Sequence, residues 1–471
     1  MIKNKYSELC VPPIKKIHDC IHGFIYLSTF ATIVIDTKYF QRLRDLSQLG
    51  TCKYVYPNAN HTRFEHSIGT YHIASKLLEK ISLQTNQDID EYMSSIEELK
   101  EYYKKMYDNK IHPLDPYVCE LIKIAALCHD LGHGPFSHVF DDVFLPSVGK
   151  DKEKYSTHEE RSGAILRIII TTNDLLNSLV TENEINFMIN LINPKPEHRG
   201  FIYQIVSNNV TGLDVDKFDY LQRDIYALNF QAKIDVSTLV EQVKIIDNNF
   251  VYPEQSSYDI INLFTTRHRL HIQVYCHKVT ISTQLMIVEI FTLLDEILGL
   301  SSSIDDLERF CDITEGYIFN SIKFLKTKKY LLSDVQIEKL DMASMLINKL
   351  ETRQLYPMIH HFVSRNKIDL LCFFKDFDDK DDILYFQNKV GFVSGNKPNP
   401  LDSIFVYKTK DCNVSTQLIG HKKNKEEITL LMPNVYQEYI ITIYYKNKNN
   451  IERINELKTH CQKIFVNNQL N

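Results

Sequence analysis

Apolar residues recur at helical spacing over most of the first 300 positions and in shorter, denser runs after about residue 368. Ile73, Leu77, Leu78 and Ile81 form one stripe with lysines on the other faces, which predicts an amphipathic helix opened by His66. Val118–Cys128 has the length and composition of a buried helix, and Gly132, Gly134 and Pro135 stop it. Asp216, Tyr220 and Asp224 stand at i, i+4 and i+8, so they share one helix face. Arg267, His271, Tyr275 and Lys278 are spaced to put basic and aromatic groups on one face of a single helix. Residues 86 to 117 carry Glu and Lys at helical spacing up to Pro113 and Pro116, and read as a solvated surface helix and loop. Later, Leu370–Phe374, Ile383–Phe386, Ser403–Tyr407, Ile428–Met432 and Tyr439–Tyr445 read as strands, with a helix near 451 to 466. The pattern predicts a mainly α protein. Residues 1–300 form a helical catalytic core with the charged insertion at about 86–117, and 301–471 form a helical connection and a small C-terminal α+β lobe.

The chemistry concentrates in Ala126-Leu-Cys-His129-Asp130-Leu-Gly-His133-Gly-Pro-Phe-Ser-His138, where an adjacent His-Asp pair and two more histidines follow the buried run. A neutral imidazole and a carboxylate are complementary ligands for a divalent first-row metal, but two adjacent residues cannot complete a coordination shell. The face carrying Asp216 is too acidic to be left without a cation. His66, His129, Asp130 and Asp216 together make a site of two imidazoles and two carboxylates, with positions left for water or a phosphate oxygen. Fe, Mn, Zn and Ni all suit that donor set.

The order His, then His-Asp, then Asp on separate helices is the pattern of HD-domain phosphohydrolases, and the flanking residues extend it. Ile21-His-Gly23, Asp36-Thr37, Phe40–Arg44, Gln48-Leu-Gly50, Arg63–Ser67, His129–His138, Thr157-His-Glu159, Asp214–Lys217, Arg267 and Tyr275–Lys278 follow one family in order. The chain resembles the deoxynucleoside triphosphate triphosphohydrolases of the sterile-alpha-motif/HD-domain type, without a sterile-alpha-motif domain ahead of the matching blocks. That resemblance implies that His66, His129, Asp130 and Asp216 bind the metal, with Mg bound alongside the nucleotide triphosphate. It implies conversion of a dNTP to deoxynucleoside and inorganic triphosphate, with His138 as proton donor, Asp141, His158 and Glu159 flanking it, and His133 near the phosphates. Arg63, Lys217 and Arg267 fall where the family pairs phosphates, as the charge of a triphosphate demands. Gln48, Leu49, Tyr220, Asp224 and Tyr275 fall where it holds the sugar 3′-hydroxyl and rejects a 2′-hydroxyl.

The resemblance also implies activation by nucleotides at subunit interfaces, and hence a homo-oligomer, a dimer or tetramer. Lys15, Asp36, Gln41 and Arg44 match a GTP or dGTP pocket. Val55, Tyr56, His277 and Lys278 match a second, dNTP pocket, in which Thr238, Pro253, Gln255 and Pro357 replace expected basic residues. His18 stands in place of an asparagine and Phe24 in place of a histidine.

Composition narrows the alternatives. With 471 residues and 44% hydrophobic content the chain can bury a large core. A net charge of −6 gives no strong nucleic-acid signal, which weighs against a regulatory nucleotide- or RNA-binding protein with a dead site. The retained sugar and phosphate residues weigh against an HD phosphohydrolase acting on another phosphoester. No apolar window of about 18 residues and no apolar leader are visible, so no membrane association is expected. Ten cysteines without CxxC spacing suggest reduced thiols and a cytoplasmic or nuclear location.

Overall fold

The computed structural model describes residues 2–10, 15–84, 87–391, 404–408, 420–422 and 437–466. The expected strands at 403–407 and 428–432 therefore fall partly and wholly outside the described residues.

The core is built on the Arg63–Ile81 and Pro116–Cys128 helices, which pack against each other. The first begins at Thr62 with a capping box, in which Glu65 accepts the Thr62 amide at 2.7 Å. The second has Pro116 in its first turn, and Asp115 accepts the Tyr117 and Val118 amides. Apolar residues surround the second helix because the first covers one side while the Glu182–Ile192 and His158–Thr172 helices cover others. The Val215–Ala227 helix, capped by Asp214, lies along Arg63–Ile81. That packing sets its acidic face against His66.

A three-stranded antiparallel sheet closes the chain, with Gln437–Tyr445 between Met358–Ser364 and Ile383–Gly391. One face packs Ile441 and Ile443 against Leu457 and Cys461 of the Ile451–Cys461 helix. From the other face, Tyr444 joins the main core and donates to the Lys278 carbonyl at 2.6 Å. A second sheet pairs Asn249–Pro253 with Lys244–Ile246 and, in parallel, with Phe405–Tyr407.

Three expectations need correction. Leu371–Phe374 is a helical turn and not a strand, since a five-residue apolar run has no resolvable period and here only Leu370 and Phe374 face the core. Residues 86–117 form two helices, Gln87–Ser94 and Lys100–Tyr107, which are not merely solvated: Ile89, Met93, Leu99, Tyr102 and Tyr103 are buried. Arg267 to Lys278 is not one helix. Ser257–Leu270 runs into a π turn at His271–Tyr275, breaks at Cys276, and restarts at Lys278 with His277 as N-cap. Among the described residues, no helix is long and apolar enough to cross a membrane, and every cysteine is a free thiol.

Candidate active site

His66 comes from the first turns of the Arg63–Ile81 helix, His129 caps the Pro116–Cys128 helix with Asp130 next to it, and Asp216 comes from the start of the Val215–Ala227 helix. Their donor atoms converge. His66 Nε2 lies 3.1 Å from Asp216 Oδ1 and 3.5 Å from Asp130 Oδ2. His129 Nε2 lies 3.3 Å from Asp130 Oδ1 and 3.5 Å from Asp216 Oδ1. Ligand atoms about 2.1 Å from one cation, at angles between octahedral and tetrahedral, stand roughly 3.0–3.4 Å apart. Both Nε2 atoms are buried without a hydrogen-bond partner, so they present lone pairs to the same point. Residues and spacing thus fit a divalent metal.

Electrostatics agree. Burial opposes a charged His66, but the surrounding carboxylates of Asp216, Asp219 and Asp130 outweigh it and push the imidazole up to about 10, a positive charge that a bound dication would take over. Asp130 is held well below the usual carboxylate range despite burial, chiefly by Arg63 and His129. Asp216 is likewise depressed against burial by His129 and His66. Such an excess of buried carboxylate is what a dication neutralises.

Beside this centre sits a histidine cluster. His133 Nδ1 bonds Asp141 Oδ2 at 2.7 Å, Asp141 pairs with buried Arg161, and the His133 ring stacks on His158 with centroids 3.9 Å apart. Burial and adjacent His133 hold His158 far below its ordinary value. Glu159 Oε1 approaches His158 Nε2 at 3.4 Å. His138, 62% exposed, faces solvent and donates from Nδ1 to Asp142 Oδ2, 3.0 Å away. Asp141, expected to flank His138, bonds His133 and Arg161 while its charge also bears on His138. The turn carrying these groups places Phe136 and Ser137 at φ 60° and 57°, a left-handed conformation unusual for side-chain-bearing residues. Ser137 is fixed there, donating to the Ser47 carbonyl at 2.7 Å and accepting from Arg63 Nε at 2.8 Å.

Of the expected phosphate cations, Arg63 ion-pairs with Asp130, Lys217 pairs with Asp214 at 2.9 Å, and Arg267 donates to the Gly391 carbonyl at 2.7 Å and to the Tyr220 hydroxyl at 3.3 Å. The expected sugar residues gather: Tyr275 donates to Asp224 Oδ2 at 2.5 Å, and Gln48 and Leu49 lie in the segment that pairs with His61 through its carbonyl. Elsewhere Lys15 pairs with Asp36, Gln41 accepts from Arg44 at 2.8 Å, and Arg44 covers the Phe64 ring. Tyr56 packs near His277, with Val55 and Lys278 adjacent in sequence.

Two site residues escaped the sequence reading. His61 Nε2 bonds Asp224 Oδ1 at 2.7 Å, and Asp219 Oδ2 lies 2.8 Å from His66 Nδ1. Asp219 stands three residues after Asp216, a spacing that could have placed it on the same helix face.

The helical core and its paired imidazole and carboxylate donors define an HD-domain protein, and residues 63–188 match the HD domain family. A putative HD domain-containing protein of Acanthamoeba polyphaga mimivirus is 37% identical over 88% of this chain and 91% of its own. The deoxynucleoside triphosphate triphosphohydrolase SAMHD1 homolog of Dictyostelium discoideum is 34% identical over 97% of this chain and 81% of its own. The Homo sapiens deoxynucleoside triphosphate triphosphohydrolase SAMHD1 is 29% identical over 93% and 71%. The chain belongs to the SAMHD1 family of HD-domain proteins.

Proposed function

We propose that this protein is a metal-dependent enzyme that hydrolyses dNTPs to deoxynucleoside and inorganic triphosphate. The observation that carries the reading is the pair of buried, unpartnered Nε2 atoms of His66 and His129 facing Asp130 and Asp216, with a second histidine cluster alongside. A bound divalent ion, which this reading takes to be Fe, Mn, Zn or Ni with Mg carried by the triphosphate, supplies polarisation of the α-phosphate and a more acidic water. His66, His129, Asp130 and Asp216 hold that ion.

Water adds to the α-phosphorus as the bond to the 5′-oxygen breaks, and the electron pair leaves on that oxygen. His138 protonates it. Exposure at the cleft suits this role, because the proton can be replaced from solvent between turnovers. Asp141 and Arg161 fix His133 toward the phosphates, and His158 and Glu159 support the cluster. Arg63, Lys217 and Arg267 offset the charge of the triphosphate. Gln48, Leu49, Tyr220, Asp224 and Tyr275 form the sugar pocket, where the Tyr275–Asp224 bond narrows the space a 2′-hydroxyl needs.

Regulation is part of the same reading. GTP or dGTP binds at Lys15, Asp36, Gln41 and Arg44 and favours a dimer or tetramer, while the second pocket at Val55, Tyr56, His277 and Lys278 has Thr238, Pro253, Gln255 and Pro357 where basic residues are expected and is weakened for a dNTP. The division into a 1–300 core and a 301–471 lobe, and a cytoplasmic or nuclear location, belong to this reading too. The test incubates purified protein with each dNTP and Mg²⁺ or Mn²⁺, with and without GTP, and resolves products by anion exchange and phosphorus NMR. Deoxynucleoside with intact triphosphate supports it; pyrophosphate, monophosphate or no turnover with any metal overturns it.

A further inference from the structure

The two histidines that offer Nε2 to the proposed metal are held from behind by different groups. His129 Nδ1 meets a backbone carbonyl, Ala126 O, at 2.8 Å. His66 Nδ1 meets a carboxylate, Asp219 Oδ2, also at 2.8 Å. Asp219 is fully buried and is itself fixed on every side. Arg223 engages both of its oxygens at 2.9 and 3.0 Å, and His22 Nε2 reaches Oδ1 at 2.6 Å. Arg223 is in turn held by Asp19 Oδ2 at 2.9 Å, while Asp19 Oδ1 accepts the amides of Ile21 and His22.

Independently, the opposing helix has made room for this carboxylate. A Cβ on Gly69 would stand 1.9 Å from Asp219 Oδ1 and 2.5 Å from Arg223 Nη2. Gly69 lies one turn after His66, so the helix that carries the ligand also leaves the space its partner fills.

We propose that Asp219 is a positioning residue for the metal centre: it fixes His66 as the Nδ1–H tautomer, aims Nε2 at Asp216 and Asp130, and makes His66 the stronger of the two imidazole donors. A carboxylate behind a ligating histidine raises the basicity of the other nitrogen and sets the ring's orientation, and losing such a partner weakens metal binding by about 10–100-fold. Arg223, Asp19 and His22 act one step further back, by holding Asp219 in place. The inference rests on the metal-site reading but not on the identity of the substrate.

The experiment strips the full-length protein of metal and measures Co²⁺ and Zn²⁺ dissociation constants by competition with a chromophoric chelator, for wild type and Asp219→Asn. About 10–100-fold weaker binding is expected, together with a shifted Co²⁺ visible spectrum, because the His66 donor strength and angle change. Affinity within about twofold of wild type and an unchanged spectrum overturn the proposal. Should Asp219→Asn fail to fold, nitrogen NMR of the Zn²⁺-loaded wild type decides instead. A His66 with a proton on Nδ1 and metal on Nε2 supports the proposal, and the reverse tautomer overturns it. A protein that binds metal this way yet leaves dNTPs intact overturns the proposed reaction and leaves the role of Asp219 standing.

Discussion

His138 and Asp142 lie one helical turn apart and share a hydrogen bond, Nδ1 to Oδ2 at 3.0 Å, while neighbouring Asp141 is turned away toward His133 and Arg161. The bond to Asp142 and the charge of that carboxylate raise the His138 pKa. A proton donor must be protonated, so turnover falls as pH rises through that raised value. In Asp142→Asn the alkaline limb of the rate profile moves to lower pH; a limb that stays in place assigns the proton to another group. Asp141→Asn acts instead through His133.

Arg63 is buried and, among the described residues, forms an ion pair with Asp130. Arg63→Ala removes the largest charge that offsets this buried carboxylate, which costs up to about 3–5 kcal/mol of stability. A divalent cation at Asp130 restores part of that loss. Urea unfolding with and without Mn²⁺ measures both numbers, and an equal cost in the two conditions contradicts the placement of the ion beside Asp130.

Gly69→Ala inserts a methyl group where Asp219 and Arg223 already stand. Overpacking of a tight site costs about 1–3 kcal/mol, and here the displaced atoms belong to the network behind His66. Metal affinity should therefore drop further than in Gly163→Ala, where the three atoms nearest the added Cβ belong to the Ile189 side chain at 3.0–3.5 Å. Parallel thermal melts and metal titrations of the two variants make the comparison.

In the proposed sugar pocket Tyr275 donates to Asp224. Tyr275→Ala removes both the bulk and the bond, so discrimination against ribonucleotides should fall by about 10–100-fold. The ratio of kcat/KM for dATP over ATP is the readout, and an unchanged ratio places sugar selection elsewhere.

Burial and the nearby charge of His22 lower the His72 pKa to about 4. Folded His72 then stays neutral down to about pH 4, whereas the unfolded chain takes up a proton below the usual 6.5. The unfolded state holds more protons across that window, so this group's contribution to stability falls as pH drops from about 6.5 to about 4. His72→Gln should flatten the slope in a denaturation series over the same range.

The four proposed metal ligands could be picked out in the sequence because each sits in a short, chemically dense block whose neighbours define its element. Asp219 and His61 were not, since one more carboxylate on an acidic helix, or one more histidine in a polar loop, looks like surface until a buried partner is seen opposite it. The 86–117 segment misled because its charges occupy the outer face while Tyr102 and Tyr103 point inward between them. The break at Cys276 was invisible because a π turn at 271–275 resets the helical phase without any proline or glycine to announce it.

The proposed metal donors are residues 66, 129, 130 and 216, spread over three helices far apart in the sequence. At about 5–20 residues per second, a ribosome finishes Asp216 roughly 8–30 s after His66. During that interval the nascent chain carries scattered ligands and no pocket. A fragment ending before 214 lacks one of the four proposed donors, so acquisition of the ion would mark a chain extended past that point.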